Sequence, residues 1–176
     1  MVITDFEAVT TKPIFSHWFY DVTIDANNNK VLAGGEAMSP GPDNWEYLAM
    51  ARYDSNGALY DPTFNSGQPL LQDWHSSFIH SLRVDSKGRI LACGSSGPYF
   101  ACWRYLNSGA ADPIFGKAKS GWLTTAFGAG SQDAYAMVRQ SDGKFVVGGL
   151  KWITTVIKRN QSTTKPVFAL ARYYED

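Results

Sequence analysis

The stretch VRQSDGKFVVGG, residues 138–149, decides the fold. A strand ends at Gln140, a Ser-Asp-Gly turn follows, and a second, apolar run leads from Lys144 to a Gly-Gly pair. Asp-Gly between two such runs specifies a hairpin, because glycine takes the positive φ that a tight turn demands. The same hairpin is written twice earlier, as TIDANNNKVLAGG at 23–35 and RVDSKGRILACG at 83–94. Alignment on Lys30, Arg89 and Lys144 sets Asn29 and Gly88 at the place of Gly143. It also sets Gly34-Gly35 and Cys93-Gly94 at the place of Gly148-Gly149.

The repeat extends outward from the hairpin. Downstream comes a further strand pattern, YLAMARYD at 47–54, YFACWRYL at 99–106 and VFALARYYE at 167–175. Upstream lies a shorter one, VITDF at 2–6, LLQDW at 70–74 and LTTAF at 123–127, expected to open each unit. No helical periodicity is sustained, and runs such as WITTVI are short and β-branched. The chain therefore reads as all-β, in three four-stranded units at 1–56, 68–108 and 121–176, joined by connectors at 57–67 and 109–120. A repeated four-stranded unit of about 50 residues is the signature of a β-propeller blade.

At this point a family resemblance enters. The string DAYAMVRQSDGKFVVGG, with FALARY after it, resembles the delta-60 repeat family, β-propeller modules of bacterial and phage proteins. Gln140, Asp142, Gly143, Lys144, Gly148 and Gly149 match the turn and strand end, and Phe168 to Tyr173 match the strand. Asp112, Pro113, Phe115 and Gly116 match the connector; the first two copies are looser, with Asn29 for the turn glycine and Trp103 for the second alanine. The resemblance covers nearly the whole chain. It implies a propeller fold and a bacterial surface or phage assembly setting, and it implies no active site, because the motif describes the blade.

Propellers close with four to eight blades, and a repeat unit buries its apolar face only against a neighbour. Three blades leave two faces open, so a head-to-tail homodimer closing a six-bladed ring is expected. Two other arrangements meet the same demand: a tight ring of three irregular blades, and a piece of a larger propeller.

Composition narrows the function. The formal net charge is zero, and Lys and Arg form no run, which argues against a nucleic-acid binder. No apolar run approaches the roughly 20 residues of a membrane span, and MVITDFEAV lacks the pattern of a signal peptide. The chain is expected to be soluble and cytoplasmic at synthesis, whether or not it joins a virion or a surface assembly. Cys93 and Cys102 are expected as free core thiols. His17, His75 and His80 form no metal-ligand spacing, the acidic turns at 25–29 and 54–57 lack the closing carboxylate of a calcium loop, and no cofactor is expected. Arg52, Arg104 and Arg172 recur at one strand position, which suggests structural pairing with connector carboxylates such as Asp61 and Asp112.

Function is expected where the copies differ. The segments 36–46 and 150–166 are the most divergent and are expected as loops presenting a glycan or protein ligand to Trp45, Tyr47, Trp152 and Trp18. The alternative is that WITTVI extends a hairpin and that Trp152 packs on a neighbouring blade or chain. A non-enzymatic binding module is the leading expectation. The alternative is a glycosidase or lyase with its site in the propeller channel, for which Asp5 and Asp73 are the one recurring carboxylate pair.

Overall fold

A computed structural model describes residues 4, 6, 13–14, 16–40, 46–56, 60–73, 76–158 and 161–174. The chain is all-β, in three antiparallel sheets. The first contains β1 (Ser16–Asp25), β2 (Lys30–Met38), β3 (Glu46–Tyr53) and β4 (Leu70–Gln72), in that order. The second repeats the order with β5 (Ser77–Val84), β6 (Ile90–Ser96), β7 (Tyr99–Tyr105) and β8 (Trp122–Thr125). The third has β9 (Gln132–Arg139), β10 (Lys144–Lys158) and β11 (Gln161–Tyr174). Among the described residues the only helical element is a 3-10 turn at Asn65–Gly67.

Local chemistry sets these elements. The hairpin turns pass through positive φ at the aligned positions, with Asn29 at 58°, Gly88 at 74° and Gly143 at 79°. Asn replaces Gly there because its short polar side chain tolerates the left-handed region. The strand order corrects one expectation. LLQDW and LTTAF do not open the second and third units; their residues form β4 and β8, which close the first and second sheets against β3 and β7. At 150–166 the loop expectation fails and its alternative, an extended hairpin, holds. β10 and β11 run through it as one long hairpin with Trp152 opposite Pro166.

The sheets pack face to face in chain order, β5 against the first sheet and β9 against the second. Between the first and second sheets, Leu32, Leu48 and Met50 meet Ile79, Leu82 and Trp103. Between the second and third, Leu91, Phe100 and Cys102 meet Met137, Phe145 and Val147. Each such side chain contributes about 2 kcal/mol by leaving water. The cysteines are buried as expected but are not free. They stand directly opposite across β6 and β7, Cα atoms 4.2 Å apart, and are joined as a disulfide. Sequence spacing conceals this pairing, since strand register alone makes Cys93 and Cys102 cross-strand neighbours.

The connectors lock the seams. Arg52 Nε donates to Asp61 at 2.6 Å and Arg104 Nε to Asp112 at 2.8 Å, all four side chains buried. Each guanidinium also lies over a connector ring, Phe64 at 4.9 Å and Phe115 at 4.7 Å. The Asp-Pro-x-Phe writing of both connectors is thus explained: the carboxylate and the ring grip one arginine from two sides.

Candidate functional site

The first strands of the three sheets, β1, β5 and β9, share an irregularity that shapes the site. In each, the register with the next strand skips one residue: Tyr20 in β1, His80 in β5 and Tyr135 in β9. A bulge of this kind re-aims its side chain out of the ladder. The recurring glycine opposite makes it possible. A Cβ on Gly35, Gly94 or Gly149 would lie 1.9 Å from the carbonyl oxygen of Trp18, Phe78 or Asp133 respectively. The Gly-Gly strand end of the repeat therefore permits the bulge. The bulge in turn brings three aromatic side chains together.

They form a row. The Tyr20 and His80 rings are 4.8 Å apart, His80 and Tyr135 4.9 Å, and Phe78 meets His80 edge-on at 5.0 Å. Tyr20 and Tyr135 are each 46% exposed, enough to offer ring surface to a ligand. Alignment by sequence places Asp21 beside His80; the structure places Tyr20 there, because the turn after β1 holds one residue more than its counterparts.

Carboxylates flank the row. The Tyr20 hydroxyl donates to Glu36 Oε1 at 2.5 Å, and Glu36 is itself buried. Burial, that hydrogen bond and the charge of Glu46 raise the Tyr20 phenol well above its ordinary range. Burial and then the neighbouring Glu36 charge push the Glu46 carboxyl up, against a hydrogen bond from Ser76. On the far side, Ser95 Oγ donates to Asp133 at 3.2 Å. Burial lowers the His80 imidazole from its usual value, with Asp133 pulling the other way. The ensemble has aromatic faces and acceptor oxygens. Among the described residues no three His, Cys, Asp or Glu side chains are placed to hold a metal ion.

The residues singled out by sequence fall differently. Trp18 is half-exposed in β1, two residues from Tyr20, and Trp152 is partly exposed in β10. Both lie at the end of their sheets where the β2–β3 and β10–β11 hairpins close. Tyr47 is buried against Phe6, Ala37 and Ala49, so its ring is packing and not a ligand platform. Trp45, His75 and Asp5 lie outside the described residues. Asp73 follows β4, at the opposite edge of its sheet from β1 and Tyr20. The cluster of Tyr20, Glu36, His80, Asp133 and Tyr135 escaped the sequence reading, although a signal was present. One residue before Asp21, which the sequence alignment sets against His80 and Tyr135, stands Tyr20, so the copies read Tyr, His and Tyr once that offset is allowed. Glu36 has Ser95 and Leu150 as counterparts, which breaks the repeat.

Compared with known proteins, the chain matches no family model and no curated sequence.

Proposed function

We propose that the three sheets are blades of a β-propeller, that two copies close head to tail into a six-bladed ring, and that the ring is a non-enzymatic glycan-binding module. One observation carries the binding reading. Three bulged residues, Tyr20, His80 and Tyr135, form an exposed aromatic row beside the carboxylates of Glu36, Glu46 and Asp133. Sugar rings stack on aromatic faces through their C–H surfaces, while their hydroxyls need acceptors, and carboxylates are the strongest available. The resemblance of the repeat to delta-60 propellers adds a bacterial surface or phage setting to this reading. The ring closure draws support from the apolar faces at both ends of the sheet stack.

A glycan array followed by calorimetry on the hits tests the site. Tyr135→Ala is expected to weaken binding about tenfold or more, the equivalent of about 1.4 kcal/mol, with His80→Ala close behind. Trp18→Ala and Trp152→Ala then show whether the site extends along the same end. Wild-type affinity in both Tyr135→Ala and His80→Ala would place any glycan elsewhere. The neighbouring Glu36 and Glu46 favour a second reading, hydrolysis or lyase chemistry, since two neighbouring carboxyls, one of them raised by burial, can divide the acid and base roles. Turnover of a bound glycan, abolished in Glu46→Gln, would establish that reading over the first.

A further inference from the structure

The segment at 2–6 shares its pattern with 70–74 and 123–127, and the latter two supply the outer strands β4 and β8. Both pair in one register. Gln72 stands opposite Leu48 and Leu70 opposite Met50; Thr125 stands opposite Phe100 and Leu123 opposite Cys102. In the repeat, Thr4 holds the place of Gln72 and Thr125, and Val2 that of Leu70 and Leu123.

A side-chain contact agrees with this alignment. Each outer strand is tied to the sheet that follows it. Tyr105 of the second sheet donates its hydroxyl to Gln72 at 2.5 Å, and Tyr173 of the third donates to Thr125 at 2.6 Å. The counterpart in the first sheet, Tyr53, is hydrogen-bonded through its hydroxyl to Thr4 Oγ1. Thr4 is buried, and Phe6 is fully buried against the first sheet's own cluster. These residues sit on the first sheet where the outer strand of a preceding sheet would sit.

The opposite end of the stack shows the complementary gap. Among the described residues the third sheet has three strands, and β11 pairs only with β10. An open groove of about 670 Å³ lies between Tyr173 and β8. One sheet earlier, Trp122 of β8 packs into the cluster that holds Tyr105 and Leu70. An unpaired strand edge exposes a row of backbone donors and acceptors that another strand can satisfy.

We infer that the segment carrying Thr4 in one copy supplies the missing fourth strand of the third sheet in a second copy, antiparallel to β11, with Thr4 opposite Phe168. The inference rests on head-to-tail pairing and adds its mechanism. The two chains exchange strands, once at each of two seams, so each sheet interface in the ring is the one already built twice inside the chain. Tyr53 then anchors the donated strand to its own first sheet, as Tyr105 and Tyr173 anchor β4 and β8.

The test mixes two full-length variants, Thr4→Cys and Phe168→Cys, and treats them with a short bis-maleimide, which alkylates one thiol at each end, after their masses in solution are measured. A covalent dimer in the mixture is expected, with neither variant alone cross-linking and with Thr4→Cys plus Tyr174→Cys giving at least tenfold less. The double variant Thr4→Cys/Phe168→Cys guards against misfolding and is expected to give dimers. A cross-link confined to single chains would overturn the inference in favour of self-closure. Dimers by mass that do not cross-link in this register would overturn strand exchange while leaving the pairing intact, and monomers throughout would overturn both.

Discussion

The seam between the first two sheets and the outer face of the third are written with the same residues and meet different fates. Leu48 and Met50 are fully buried, whereas Phe168 and Leu170, at the same places in the repeat, are 93% and 69% exposed. Arg52 and Arg104 are buried on their connector carboxylates, and Arg172 is exposed. The first sheet mirrors this at its other face. Val22 and Ile24 are exposed where Leu82 and Val84 pack into the seam. Burial here is decided by whether a neighbouring sheet stands beside the residue, not by residue type. Two apolar faces of matching pattern on one chain are the physical ground for expecting a second copy.

The sharpest way to break this comparison is to remove the same arginine from both regions. Arg104→Ala leaves Asp112 buried without its guanidinium, a loss of about 3–5 kcal/mol in denaturant unfolding. Arg172→Ala is expected to fall within about 0.5 kcal/mol when measured on the monomeric chain. Equal losses would mean that the third sheet is already closed. The bulge offers a second large effect. Gly94→Ala puts a Cβ 1.9 Å from the Phe78 carbonyl, so the bulge must shift or the strands part. It is expected to cost several kcal/mol, about 3 or more, whereas Gly143→Ala in the open turn should cost about 1 kcal/mol.

Apolar truncation gives a graded version. Met50→Ala should destabilise by about 2–4 kcal/mol, and Leu170→Ala by a small fraction of that in the monomer. A difference that shrinks as protein concentration rises would report burial of Leu170 by a second copy. A more modest effect than either arginine or bulge loss concerns acid. Although burial opposes ionisation, hydrogen bonds from Lys30 and Thr63 and the charge of Arg52 hold the Asp61 carboxyl at about 2, below its ordinary 3.8. A depressed carboxyl stabilises the fold above its unfolded value, and the contribution is lost as pH falls from 3.8 through about 2. That amounts to about 2 kcal/mol, and Asp61→Asn should flatten the acid limb of a stability profile.

Much of the fold is legible because its signals are local. A glycine or asparagine at positive φ marks each hairpin turn, and the alternation between turns marks the strands. The repeated arginine and the Asp-Pro-x-Phe connector identify each other as partners through simple charge. What could not be read depends on partners distant in sequence. A short strand such as LLQDW lies between two units and carries no mark of which sheet it joins; only its pairing with β3 decides. The Cys93–Cys102 bond follows from register, which fixes who stands opposite whom. Sequence left the loop and hairpin readings of 150–166 undecided, because TTVIKRNQSTTK is polar enough for a loop until the cross-strand threonines are seen. Thr154 and Thr164 share a hydrogen bond of 2.9 Å there. The aromatic row was concealed because a bulge shifts one residue per strand out of phase, and a single residue decides which face a side chain takes.

The central claim is that the two open faces belong together. Light scattering coupled to size exclusion, run from micromolar concentration upward, tests it most directly. A single species of twice 19.4 kDa is expected, reduced to the monomer mass by Leu170→Asp or by Val22→Asp. A monodisperse 19.4 kDa particle at every concentration would contradict it.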